Sequence, residues 1–166
     1  CMSLLLIFSL ASCELDSTEG QDVNNDTNNG SSTVEKASEP VKVQPTEGEG
    51  DIGDYHIKIV GAEKGKDYGD DDVLIVTYEW TNNSDEDKMF STAFSAKAFQ
   101  NGIECSSATI VDGVDANKLL SDIKPGASLE VQEAYELNDD SDVTIEVTPW
   151  IDFSDDTVIT KTFSVK

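Results

Sequence analysis

The chain has 166 residues, with 34 Asp plus Glu against 11 Lys plus Arg, for a net charge of −23. Every basic residue is a lysine, and none is clustered; phosphate binding draws on such clusters, so nucleic acid is excluded as a partner and electrostatic docking on anionic headgroups is disfavoured. The length makes one folded domain the prior, and the charge favours solubility with some attraction for cations or basic partners.

In chain order, residues 3–10 read SLLLIFSL, an apolar run too short to span a bilayer, which takes about 20 apolar residues, but of the length of a signal-peptide core. It runs into Leu10-Ala11-Ser12-Cys13. Small residues before a cysteine suit a narrow protease site, and the four residues resemble the bacterial lipobox, in which the cysteine is lipidated and becomes the new N-terminus. Cys13 is therefore the expected lipidation site, which would anchor the protein to the outer face of the cytoplasmic membrane at the cell surface. A signal peptide normally opens with Met and basic residues, whereas this chain opens Cys1-Met2 with no Lys before Lys36; the expectation is a start truncated upstream. Of the three cysteines only Cys105 would persist as a thiol, so no internal disulfide is expected, and a buried structural thiol is favoured over a nucleophile because the only histidine is His56 and nothing signals a base or orienting group beside Cys105.

Residues 14–54 are rich in Asn, Ser, Thr, Gly, Glu and Asp and contain no aromatic. They cannot bury enough apolar surface to offset the entropy of ordering them, and read as a disordered tether of about 40 residues spanning ~35 Å.

From residue 55 the pattern alternates. Tyr55, Ile57 and Ile59 face one way and His56 and Lys58 the other, predicting a half-buried strand. Residues 73–81, VLIVTYEWT, predict a central strand, apolar on both faces at its start, with Trp80 on the core face. The cluster at 82–87 is a turn. Residues 91–100 predict a strand with Phe94 and Phe99 in the core, an odd spacing that implies a bulge. Asn101-Gly102 signals a tight hairpin, residues 116–120 a helical turn, and Lys124-Pro125-Gly126 another turn. Residues 128–137 alternate through Leu129, Val131, Glu133 and Tyr135, with a slip near Ala134. Residues 143–147 and 158–165 complete the set. About seven short strands predict an all-β antiparallel sandwich over residues 55–166.

No nucleophile elbow, phosphate loop, dinucleotide glycine pattern or zinc pair occurs, so neither catalytic residues nor a cofactor are expected and the protein is not read as an enzyme. The acidic turns are the remaining candidate chemistry, with Asp139, Asp140 and Asp142 the candidate weak cation ligands; none has EF-hand spacing, and Asp favours turns anyway because it caps its own backbone. His56 is expected to be solvated. Trp150, which follows Pro149, is the candidate recognition residue, although core or edge packing is the favoured reading of it.

The segments VLIVTYEWTNNSDE (73–86), AFSAKAFQNGIE (93–104) and IKPGASLEVQEAYELNDDSDVTIEV (123–147) together resemble an uncharacterised immunoglobulin-like lipoprotein domain family of Firmicutes, domain of unknown function 5067. The resemblance spans residues 55–166 and implies an immunoglobulin-like sandwich behind a lipobox and tether, with no assigned activity. At Cys105 the family pattern would carry a larger aliphatic. The function expected is a non-catalytic, lipid-anchored surface binding module, expected to be monomeric, that meets an envelope protein or wall polymer; the alternatives are an accessory protein of a transporter or wall enzyme, or a weak calcium-dependent module.

Overall fold

A computed structural model describes residues 46–151 and 157–166. Cys13, the signal-like run and most of the expected tether lie outside these residues, as does the acidic stretch 152–156.

Strand β3 (Tyr55–Lys66) pairs antiparallel with β4 (Asp72–Asn82), and β4 with β8 (Ser128–Glu136). With β2 (Glu49–Ile52) and β7 (Ser107–Ala108) on its two edges this sheet runs β2-β3-β4-β8-β7. The second sheet runs β1-β10-β9-β5-β6, from β1 (Thr46–Glu47), β10 (Ile159–Phe163), β9 (Val143–Pro149), β5 (Phe94–Gln100) and β6 (Ile103–Glu104). The order β3-β4-β8-β7 is the A-B-E-D sheet of an immunoglobulin fold, and β10-β9-β5-β6 is its G-F-C-C′ sheet.

The sandwich thus has the expected class, but more strands than expected, in two five-stranded sheets. The fold also begins earlier than the boundary at Tyr55. Residues 46–52 have no alternating apolar pattern, yet their backbone completes both sheets. Gly48, at a φ of 73°, turns the chain from one sheet to the other. Its N–H donates to the Thr160 carbonyl at 2.7 Å, and its carbonyl accepts from the Ile59 N–H at 2.7 Å. Lys161 Nζ adds a bond to the Ile59 carbonyl at 2.8 Å, beside the bulge between Ile59 and Gly61 that breaks the β3–β4 register. One open edge of the sandwich is closed in this way.

The opposite edge is closed by the connection from β7 to β8. It starts beside the β3–β4 hairpin, where Val111 bridges Asp67, and ends beside the β4–β5 loop, where Ile123 bridges Lys88. It therefore runs along the flank of the sandwich, carrying a 3-10 helix at Ala116–Leu120 where a helical turn was expected. Asp115 caps that helix through the N–H of Asn117.

Strand β4 is central, as its composition requires. Leu74, Val76, Tyr78 and Trp80 enter the main core, while Val73 and Ile75 on the other face pack with Val111 and Ala134. The apparent slip at Ala134 is therefore not a slip: β8 keeps its register with β4, and both faces are covered at that point. Trp80 is fully buried among Tyr55, Phe90 and Phe94, with edge-to-face centroid distances of 6.2, 6.3 and 5.7 Å.

Strand β5 corrects the expectation for Phe99. Phe94, Ala98 and Gln100 are buried, and Phe99 is half-buried on the other face. No bulge is needed, because five positions along an unbroken strand put Phe94 and Phe99 on opposite faces; before the strand, residues 90–93 form a helical turn, α1, that sets Phe90 and Ala93 into the core. Two turns follow the sequence closely. Asn101 and Gly102 have φ of 52° and 78°, the tight hairpin geometry. At Lys124-Pro125-Gly126, the Ala127 N–H bonds to the Lys124 carbonyl at 3.0 Å, with Gly126 at φ 78°.

Candidate functional site

The acidic turn after β8 is built as a structural plug. Gln100, fully buried at the end of β5, donates through Nε2 to the carbonyls of Asp139 and Ser141, each at 2.9 Å, and accepts the Asn138 N–H at 2.7 Å. One Asp139 oxygen accepts from the N–H and hydroxyl of Ser141; the other accepts from Asn101 Nδ2 at 3.1 Å. These bonds, Ser141 first, hold the Asp139 carboxyl below its ordinary range. Asp140 lies 3.8 Å from Lys64 Nζ, and Asp142 is exposed. The three carboxylates are not turned toward a common centre, and among the described residues no group of three acidic, His or Cys side chains gathers as metal ligands. Cys105 is buried against this plug, its Sγ 3.8 Å from Gln100 Oε1, and burial pushes the thiol up.

The turn at 82–87 is likewise organised from inside. Buried Asn82 donates to the carbonyls of Glu86 and Ile123 at 2.8 and 3.0 Å and accepts from the N–H and hydroxyl of Ser84.

His56 is not solvated on all sides, as expected, but clamped. Its Nδ1 is 2.6 Å from Asp51 and its Nε2 3.2 Å from Glu49, both on β2. Chiefly the Asp51 bond raises its pKa. The signal was absent from the sequence because β2 was read as tether.

Trp150 overturns the packing favoured for it: the side chain is 55% exposed, and its neighbour Ile151 is 71% exposed. The Trp150 N–H donates to the Ala93 carbonyl at 3.2 Å, which fixes the residue at the end of β9 over the α1 turn. Two clefts flank it. The larger, about 330 Å³, is walled by Ile52, Asp54, Tyr55, Lys88 and Thr92, with Trp150 and Ile151 on its rim. The smaller, about 150 Å³, is walled by Phe90, Phe94, Leu119 and Glu133.

Glu133 is the residue that sequence reasoning passed over. It occupies an inward position in the alternation of β8, opposite Val76. Burial pushes its carboxyl above the ordinary glutamate range, opposed by a bond from Tyr135. Tyr135 Oη donates to Glu133 Oε2 at 3.0 Å; Tyr78 Oη lies 3.0 Å from Tyr135 Oη and, since the Tyr135 proton is committed to the carboxylate, must be the donor there. Among the described residues no lysine pairs with Glu133; the ion pairs of this region go elsewhere, Lys88 to Glu86 at 2.8 Å for example. The available signal was a glutamate at a core-facing position of an otherwise apolar series, Leu129, Val131 and Tyr135.

The architecture is that of an immunoglobulin-like β-sandwich. The chain belongs to the family defined by the domain of unknown function DUF5067, whose model matches residues 30–149. A candidate lipoprotein from Bacillus subtilis superposes with a TM-score of 0.54 at 16% identity, over 72% of this chain and 39% of that one. A candidate lipoprotein from Staphylococcus aureus gives 0.53 at 15%, over 70% and 92%. An uncharacterised β-sandwich protein from Clostridium difficile gives 0.53 at 14%, over 77% and 99%. This chain thus spans well under half the length of the Bacillus protein, and likeness at such identities is one of fold. No protein of curated function matches the chain in sequence.

Proposed function

We propose that the protein is a lipid-anchored, non-catalytic binding module of the bacterial cell surface, held by a lipid on Cys13 and engaging an envelope partner through the end of the sandwich that carries Trp150. The observation that carries the reading is the exposure of Trp150 and Ile151 over two adjoining clefts at the loop end of a rigid two-sheet scaffold. Large aromatics that are exposed yet fixed by the backbone supply contact area at little entropic cost. The lipobox-like Leu10-Ala11-Ser12-Cys13 supports the address, together with the candidate lipoproteins among the structural neighbours. The absence of a nucleophile–base arrangement in the sequence motivates the non-catalytic reading.

The test is photo-crosslinking on intact cells of the natural producer, with a benzophenone amino acid at Ile151 and, as control, at Asn101 at the opposite end. The expected outcome is a reproducible envelope adduct from position 151 only, from cells that retain the protein in the membrane fraction and lose it on Cys13→Ser. Equal or absent adducts at the two positions would overturn the binding role of this end. Unchanged membrane retention of Cys13→Ser would overturn the anchor.

A further inference from the structure

Glu133 is an anionic group placed where the fold makes it costly. It faces the interior from an inner strand, and among the described residues its partner is the neutral hydroxyl of Tyr135. A carboxylate taken out of water without a cation loses solvation that one neutral hydrogen bond does not restore. An apolar residue at this position would simply extend the series Leu129, Val131, Tyr135 on the same face. The carboxylate is not sealed in, however: it forms one wall of the cleft of about 150 Å³ beside Trp150, which Phe90, Phe94, Leu119, Ala96 and two serines, Ser91 and Ser95, also line.

We propose, building on the reading of Trp150 as the edge of the binding face, that this cleft is a subsite for the side chain of a lysine on a partner polypeptide, whose ammonium group meets Glu133. Three features select that chemistry. Glu133 Oε2 is committed to Tyr135, and through it to Tyr78. One oxygen remains for an incoming donor, which suits the point charge of an ammonium and not the two-pronged fork of a guanidinium. Three aromatic residues, Leu119 and Ala96 line the cleft together with Ser91 and Ser95, so it offers apolar surface to a methylene stem and ring faces to a cation beside two small polar side chains. The volume admits a single side chain and not a folded small molecule of ordinary ligand size. The chain's net charge of −23 would attract a basic partner and raise the encounter rate.

Binding in this geometry replaces lost water with a charge-assisted bond to an oriented acceptor. The Tyr78 hydroxyl donates to Tyr135 and Tyr135 to Glu133, so the carboxylate is aimed before the ligand arrives.

The experiment is a titration of the full chain, labelled with nitrogen-15, with three capped tripeptides that differ only at the centre: Gly-Lys-Gly, Gly-Arg-Gly and Gly-norleucine-Gly. The lysine peptide is expected to move the Trp150 indole N–H resonance and the amides around Glu133 saturably, leaving the Asn101 end unmoved. The norleucine peptide, and the lysine peptide against Glu133→Gln, should each bind about tenfold more weakly or not at all, the loss of one charge-assisted bond. Because Glu133→Gln keeps the shape and the Tyr135 bond, its fold is verified by an unchanged core amide spectrum. Equal binding by the arginine or norleucine peptide overturns the proposal, as does undiminished binding to Glu133→Gln or no saturable shift at the highest soluble peptide concentration. The two readings fail separately. A position-151 adduct that survives Glu133→Gln leaves the binding module standing and removes the lysine subsite; saturable lysine binding without any cellular adduct does the reverse.

Discussion

Two regions of this molecule hold carboxylates at the ends and flank of the same strand, β8, and they are opposites. At its C-terminal end Asp139 sits in a turn thick with acids, exposed to solvent, and both of its oxygens are used by Ser141 and Asn101. Five residues before the turn begins to bend, Glu133 stands alone on the inner face with a single hydroxyl partner. Acid density in sequence pointed to the first region as the chemistry. The structure shows why it is architecture: short acidic side chains in turns satisfy backbone and hydroxyl donors, and a carboxylate so employed has no oxygen left to offer. Glu133, by contrast with Asp139, keeps one oxygen unengaged, and the fold holds it open to a cleft.

Three perturbations would break or sharpen this contrast. The largest effect is expected from Gln100→Leu, which keeps the volume of the plug but strands the carbonyls of Asp139 and Ser141 and the N–H of Asn138. Three bonds at roughly 1 kcal/mol each predict a loss of about 3 kcal/mol in urea unfolding. A loss within experimental error would mean that the acidic turn is held by its own Asx bonds and not by Gln100.

A smaller, pH-dependent effect is expected at Glu133. Its folded pKa is raised, so the folded state binds the proton more tightly than the unfolded chain. The associated stability is fully present below the unfolded value of 4.5 and is lost as pH rises through the folded value. Glu133→Gln, which is neutral throughout, should therefore be more stable than the parent at neutral pH, with the gap closing in acid. Parallel stability curves for the two proteins would contradict a desolvated carboxylate. The same comparison in the presence of a bound lysine peptide should reverse the neutral-pH gap.

The smallest effect is expected at His56. Its folded pKa is raised chiefly by Asp51, so the stabilisation from the clamp is complete below 6.5 and disappears as pH climbs through the folded value. The imidazole is 38% exposed, and solvent screening keeps the contribution small. Thermal melts of the parent and His56→Gln should differ at mildly acidic pH and converge in alkali; a difference that grows with pH would refute the clamp.

Particular residues mark how far the sequence could be read. The alternation in 55–59, the two-faced run at 73–76, the Asn101-Gly102 hairpin and the Lys124-Pro125-Gly126 turn were legible because each depends on local geometry or on a period that strands impose. Strands β1 and β2 were not legible. Residues 46–52 contribute mainly backbone hydrogen bonds to edges already formed, and backbone bonding leaves no trace in side-chain composition. Phe99 misled because its aromatic character suggested the core, whereas an unbroken strand puts it on the face opposite Phe94. Trp150 was singled out by its position after Pro149, but its exposure depends on where α1 places Ala93.

The amino-acid sequence alone determined the class of fold, the central strand and the tight turns. These follow from short-range rules: apolar periodicity and turn chemistry. Which carboxylates are spent and which is free was decided only by the tertiary structure. Asp139 is paired with Asn101 across 38 positions, and Tyr78 meets Tyr135 across 57. Contacts at such separations are set by sheet order and register, and Glu133 acquires its cleft only when the flank of the sandwich, the α1 turn and the end of β9 meet around it.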